Sequence, residues 1–349
     1  MHRTMFAVSI ISIAALGAGG ALIFSGDAQG QATPASPARY NMDVGTSTGF
    51  GLGAFGGGGR PSLGALLGRG GNEPRKEVFL RLGSPLAATG GAPHADHFMP
   101  QGARLGASVP LVTPVQTPPG EDTDRVPGQR DGERPSGRIL IFWGCGAHAP
   151  AGQPVIIDLA RITAGQVPRG LFSTTIPRER EVSFTNSRTY GDWPNSQSRA
   201  SVSSQSSVIG AHRITGNYSP EIAFSLTQDF MAGLNPTSAE QADGSLLLNW
   251  AAVPAATGYY AWTMGFNGDG PGRGGDMVWW SSSSSQQFGG GLWDWLSPAT
   301  VQRLVQQRVV MGPTTTSCQV PVEVKRAAPG IMFGNLYAYG PEANFAFPP

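Results

Sequence analysis

The stretch SLLLNWAAVPAATGYYAW, residues 245–262, decides the fold class of this chain. An apolar run ends at Trp250, a short segment around Pro254 follows, and Gly258 opens a second run of apolar and aromatic residues. Short apolar runs bounded by turn residues are typical of buried β-strands. The stretch therefore predicts two strands joined by a turn.

Similar runs of apolar and β-branched residues, separated by turn residues, occur back to about residue 137. Further strands are predicted at 138–143, 154–159, 181–185 and 221–227. The Ser-rich stretch 196–207 fits either a loop or a polar edge strand.

One segment has a helical pattern instead. Ser297 is a capping residue, Pro298 suits the first helical position, and apolar residues at 301, 304, 305 and 309 share one face. The fold class predicted is mainly β, with one or more β-sandwich regions and one inserted amphipathic helix at 298–310.

The C-terminal third resembles fibronectin type III-like sandwiches in two places. A strand ending in Trp250, a Pro/Ala turn and a strand opening with Tyr259 are similar to the second and third strands of that family. Residues 335–341 followed by 344–347 look similar to its last hairpin. The resemblance implies that Trp250 fills the core while Tyr259 opens the opposing sheet, and it implies a fold rather than an activity.

The N-terminus has the pattern of an export signal. Arg3 precedes an uncharged stretch from Phe6 to Phe24, and small residues follow at Ala28, Gly30 and Ala32, each a possible cleavage point. The alternative is an uncleaved membrane anchor, because the apolar run approaches the length that crosses a bilayer. Export predicts a periplasmic, secreted or envelope-associated protein.

Composition divides the rest of the chain. The Gly-rich tract 45–71 and the recurrent prolines that follow it predict a disordered Gly/Pro-rich linker at 33–136, with one short strand at 77–82. The expected organisation is a signal peptide or anchor at 1–32, this linker, a β-rich domain at 137–235 and the fibronectin-like sandwich at 236–349.

Charge and cysteine content exclude some partners and suggest one bond. Lys and Arg number 24 against 23 for Asp and Glu, so the chain has no basic excess with which to neutralise phosphates, and nucleic-acid binding is not expected. Cys145 and Cys318 are the two cysteines. An even count in an exported protein favours a disulfide between them, and the alternative is two separate buried thiols.

Two further motifs contain residue types that can carry chemistry. His94, Asp96 and His97 are candidate metal ligands, but they lie in the predicted linker, where a solvated segment is the simpler interpretation. Cys145 and His148 could form a metal site or a nucleophile and base, yet no carboxylate lies beside them in the sequence. No cofactor and no metal site is predicted.

Four tryptophans remain as candidate binding residues: Trp279, Trp280, Trp293 and Trp295. Indole rings in Gly/Ser-rich loops stack on sugars or bury into a partner surface. The alternative is that they anchor a long insertion onto the sandwich.

These features predict an exported, non-catalytic binding module whose partner is a protein, a glycan or the cell wall. Contact with a membrane is expected only through an uncleaved N-terminal segment. The alternative function is a secreted hydrolase that uses His148 or His212 with Asp158, Asp192 or Asp276, brought together by the fold.

Overall fold

The computed structural model describes residues 2–10, 38–48, 75–114, 137–163, 182–268, 275–289, 291–329 and 332–345. The chain is mainly β and sandwich-like, which confirms the predicted fold class at that level. A nine-stranded sheet forms the centre. From one edge to the other its strands are β7 (Val155–Asp158), β6 (Arg138–Trp143), β14 (Asp276–Ser281), β13 (Gly258–Asn267), β16 (Met332–Phe345), β1 (His2–Ile10), β2 (Arg39–Thr48), β3 (Arg75–Ser84) and β8 (Thr189–Trp193).

Two smaller antiparallel sheets cover one face of the large one. The first has the order β10 (Ile222–Leu226), β9 (Gly210–Gly216), β4 (Ala95–Phe98) and β5 (Ser108–Leu111), and the second has the order β11 (Thr237–Glu240), β12 (Leu246–Asn249) and β15 (Ser317–Val320). Apolar residues of all three sheets meet in the main core, among them Met42, Ile214 and Val320. This face of the large sheet is therefore packed on protein.

Helix α2 (Pro298–Gln306) and the segment before it cover part of the opposite face. The other α-helices among the described residues are two short ones, α1 (Leu159–Thr163) and α3 (Val322–Ala327). The Ser297 side chain accepts a hydrogen bond from the Thr300 backbone N–H and so caps α2. Val301 and Leu304 are fully buried in a second apolar cluster with Tyr260 and Trp262 of β13. The predicted helix is confirmed, but it ends at 306 rather than 310, because Arg308 has a positive φ of 56°.

The predicted linker is wrong for those of its residues that the structure describes, 38–48 and 75–114, except that the predicted strand at 77–82 is confirmed within β3. They supply four strands, and Tyr40, Met42 and Val44 of β2 are fully buried. An average composition rich in Gly and Pro concealed a local alternation of apolar and polar residues, which is the pattern of a strand with one buried face. Residues 49–74 and 115–136 lie outside the described part.

The predicted division at residues 136 and 236 does not separate the fold. The large sheet takes strands from both sides of each boundary: β6 pairs with β14 in parallel, although 138 residues separate Arg138 from Asp276. Residues 2–10 of the predicted signal segment form β1, and 11–32 lie outside the described part. Among the described residues, no helix has the length and apolarity needed to span a membrane.

Two local predictions are wrong. Residues 184–186 form a 3-10 turn rather than part of a strand, and the Asn186 side chain closes this turn by accepting from the Ser183 backbone N–H. The predicted C-terminal hairpin is one continuous strand, β16. Pairing explains the difference: β13 pairs with residues 332–339 of β16 on one side, and β1 pairs with residues 336–345 on the other side, with one bulge.

The segment that resembles fibronectin type III crosses between sheets. Its first strand, β12, belongs to a small sheet, and its second, β13, lies in the large sheet. The Trp250 and Tyr259 rings, 5.6 Å apart, are both buried between them. The assignment to that family stays a prediction.

Candidate functional site

The four candidate tryptophans lie in the packed interior rather than on an open loop. Trp279 and Trp280 are consecutive residues of β14, so their side chains point to opposite faces of the large sheet. Trp280 is fully buried in the main core and donates to the Gly144 carbonyl at 2.8 Å. Trp279 and Trp295 are buried on the other face, and Trp293 is half-buried there. An exposed binding surface made of these rings is therefore wrong.

Three indoles form one cluster on that second face. Trp262 of β13 stacks on Trp279 at a centroid distance of 4.9 Å and on Trp293 at 5.1 Å. The Trp279 ring also donates to the Gln287 carbonyl at 2.9 Å. These contacts attach residues 283–289 and 291–297 to the sheet, which is the anchoring role that the sequence left open.

Three hydrogen-bonding atoms in and around the indole cluster of Trp262, Trp279 and Trp293 have no partner among the described residues. Gln287 Oε1, Trp293 Nε1 and Asn335 Oδ1 are buried and make no hydrogen bond to the described residues. Asn335 is the cross-strand neighbour of Trp262, so two of these atoms belong to residues paired with or stacked on the same indole. A buried polar atom without a partner is costly, and such atoms mark places where a water or a polar ligand group binds.

The three acids named for a hydrolase have other hydrogen-bond partners in the described structure. Asp276 pairs with Arg138 at 2.7 Å, and the hydrogen bonds from Arg138 hold the pKa of that carboxyl below its usual value. Asp158 accepts from the Ala160 backbone N–H, and burial raises the pKa of Asp192. None of these three acids is hydrogen-bonded to His148 or His212 in the described structure.

His148 instead finds an acid that no sequence spacing indicated. Its Nδ1 lies 3.0 Å from Glu323 Oε1, beside the Cys145–Cys318 disulfide, which has an S–S distance of 2.10 Å. The predicted disulfide is thereby confirmed. A carboxylate on Nδ1 is how a catalytic histidine is oriented. Among the described residues, no hydroxyl or thiol is hydrogen-bonded to His148.

The candidate metal ligands of the N-terminal half are separated by strand alternation. His97 of β4 is fully buried, Asp96 next to it is half-buried and faces Ser108, and His94 is exposed before the strand begins. The described residues contain no group of three or more His, Cys, Asp or Glu side chains arranged to hold a metal ion.

His97 takes part in a buried series of hydrogen-bonded polar groups that the sequence did not predict. Tyr40 OH lies 2.5 Å from His97 Nδ1, His97 Nε2 lies 3.0 Å from His212 Nδ1, and His212 Nε2 lies 2.7 Å from the Val208 carbonyl. Tyr40, His97 and His212 come from β2, β4 and β9, so the pairing of β4 with β9 and the packing of their sheet on the large sheet bring these side chains together. The signal available was a histidine at a buried position of each short strand, next to the polar residues Asp96 and Arg213.

An open cavity of about 220 Å³ lies between Arg39, Ser84, Val182 and Ser187. It is smaller than the roughly 300–1,000 Å³ of typical small-molecule sites. It carries no argument for a ligand.

Comparison of the chain with protein-family models, with curated proteins and with solved structures finds no match in any of the three.

Proposed function

We propose that this chain is an exported, non-catalytic binding protein of the cell envelope. The observation that carries the proposal is the Cys145–Cys318 disulfide, which closes a sequence separation of 173 residues. Disulfides that stabilise a fold persist in oxidising compartments and are rare in the cytosol. The export pattern at the N-terminus supports the same location.

The distribution of acids and histidines supports the non-catalytic part. Each candidate has a structural partner within the described residues: Asp276 has Arg138, and His212 has His97 and Val208. A hydrolytic site needs a nucleophile or metal, a base and a group that orients the base, all in reach of one another.

Export is tested by fusing a reporter that is active only outside the cytoplasm to the C-terminus of the full chain. We expect an active reporter, and a mass under non-reducing conditions that shows no alkylated thiol. An inactive reporter with two alkylated cysteines would show that the proposal is wrong. A fusion in which Arg3 and the apolar segment are replaced by a charged sequence is the matched control.

The alternative, a secreted hydrolase, has one observation in its favour, the oriented His148–Glu323 pair. It is tested by assaying the purified full chain and its His148→Gln variant against ester, peptide and glycoside substrates. Turnover that disappears in the variant would favour the hydrolase. We expect no turnover by either protein.

A further inference from the structure

Strand β1 occupies an interior position of the large sheet. Its nine residues pair antiparallel with β2 along their whole length, from His2 opposite Thr48 to Ile10 opposite Tyr40. On the other side they pair in parallel with β16, from His2 opposite Leu336 to Ile10 opposite Phe345, with one bulge. Both neighbours therefore depend on this strand for the backbone hydrogen bonds of their facing edges.

The sequence of β1 matches the groove that holds it. The register places Phe6, Val8 and Ile10 opposite residues of β2 that are completely buried: Val44, Met42 and Tyr40, respectively. The intervening positions are opposite polar residues of β2: position 7 is opposite Asp43, which is buried, and position 9 is opposite Asn41, which is half-buried. On the β16 side, position 9 is opposite Asn344, which is exposed. A one-residue shift in register would exchange these two sets, so the groove selects a strand with apolar residues at alternate positions.

The same nine residues begin the segment that the export pattern marks for removal. Cleavage after Ala28, Gly30 or Ala32 separates β1 from the chain. It leaves a gap in the middle of the sheet between β2 and β16, two strands whose side chains, such as Met42 and Leu336, belong to the main core. Unpaired backbone groups and uncovered apolar surface at that place strongly favour the binding of another strand.

We propose that the groove between β2 and β16 is a docking site for an extended strand of a partner protein, once export has removed β1. The inference rests on the proposed export and names the kind of partner. The ligand is a strand of about nine residues with alternating apolar side chains, running antiparallel to β2 and parallel to β16. Such strand addition combines main-chain hydrogen bonds for affinity with side-chain pockets for specificity.

A second copy of this chain does not fit the groove as well as a partner does. The copy loses its own β1 in the same cleavage. Its described edge strands have only four or five residues, whereas β1 has nine. A partner with one long, unpaired segment satisfies the groove.

The test uses the full chain, produced in an exporting bacterial host and purified from the exported fraction. Intact mass first identifies the N-terminus and the state of the two cysteines. A labelled synthetic peptide of residues 2–10 is then titrated into the protein, and its binding is followed by fluorescence anisotropy. Two peptide variants with the same added charge serve as a matched pair, Val8→Asp and Ser9→Asp.

We expect a cleaved, disulfide-bonded protein that binds the peptide saturably. The Val8→Asp peptide should bind at least about tenfold more weakly, because its charge would lie opposite buried Met42. The Ser9→Asp peptide should bind within about twofold of the original, because its neighbours reach solvent.

Three results would overturn the inference. An exported protein that retains residues 2–10 keeps its own strand and has no open groove. A cleaved protein that ignores the peptide, or binds both charged variants alike, has closed the gap without a partner strand, and this leaves the proposed export intact. A chain found in the cytoplasm with two free thiols overturns both proposals.

Discussion

Nε2 of His97 lies 3.0 Å from Nδ1 of His212, and both imidazoles are buried in the sheet that contains β4 and β9. The Val208 carbonyl can only accept, so Nε2 of His212 carries a proton and its Nδ1 accepts from His97. The remaining nitrogen of His97 then accepts from Tyr40 OH. All the hydrogen bonds between Tyr40, His97, His212 and the Val208 carbonyl are satisfied when both histidines are neutral. The His212 ring is also stacked on Phe224, with ring centroids 5.0 Å apart.

Protonation of these histidines should destabilise the protein in acid. Burial lowers the pKa of His97 well below its usual value, helped by His212, and burial also lowers the pKa of His212. The unfolded chain therefore takes up protons first, below a pH of about 6.5, and stability is lost as the pH falls from there toward the lower folded pKa values. Urea unfolding at a series of pH values should show a loss of up to about 1.4 kcal/mol per pH unit for each histidine.

The control for this prediction is a comparison of two variants. His212→Gln should be less stable at pH 7 and should show a shallower dependence below pH 6.5, because one titrating group is gone. His94→Gln changes an exposed residue and should leave the profile unchanged. Equal profiles for the two variants would show that the buried pair does not control acid stability.

Replacing both cysteines by alanine should lower the free energy of unfolding by about 2–5 kcal/mol. The disulfide joins positions 173 residues apart, so its loss frees a long loop in the unfolded chain. The measurement is urea unfolding with and without reductant. Reductant should bring the native protein to the stability of the double variant and leave the variant unchanged, and a native protein insensitive to reductant would contradict the role of this bond.

Trp280→Ala should cost about 3–5 kcal/mol of stability, as expected for a fully buried indole. Trp293→Ala should cost less, because this ring is half-buried and its Nε1 makes no hydrogen bond to the described residues. Equilibrium unfolding of both variants, with Trp250→Ala as a second core reference, measures the difference. A loss at Trp293 as large as the loss at Trp280 would show that the indole cluster, like the main core, supports the whole sheet.

Asp43→Ala should destabilise the protein more than Asp276→Ala does. Both aspartates form an ion pair with an arginine on a neighbouring strand at 2.7 Å, but the Arg81 and Asp43 side chains are 19% and 7% exposed, against 53% and 12% for Arg138 and Asp276. Removing one partner of a buried pair leaves a charge with poor access to water, typically at a cost of about 3–5 kcal/mol. The exposed Arg138 regains solvent instead. Unfolding curves that rank the two variants in the opposite order would contradict this account.

The sequence by itself determined the elements whose signals are local. Strands at 138–143 and 246–249 follow from runs of apolar and β-branched residues, and helix α2 follows from Ser297, Pro298 and a 3.6-residue apolar period. The cysteine count indicated the disulfide, because two cysteines leave only one pairing.

Only the tertiary structure decided which strands lie side by side, and with them the candidate sites. Asp276 meets Arg138 across 138 residues, His97 meets His212 across 115, and His148 meets Glu323 across 175. Trp279 and Trp280 have the same local context in the sequence, yet sheet geometry places them in different cores. Local sequence patterns fix the conformation of a segment. The neighbours of a strand depend instead on the apolar surface that distant segments bury together. That burial placed β2 and β1 inside the sheet, although the sequence around β2 is Gly-rich and the sequence around β1 resembles an export signal.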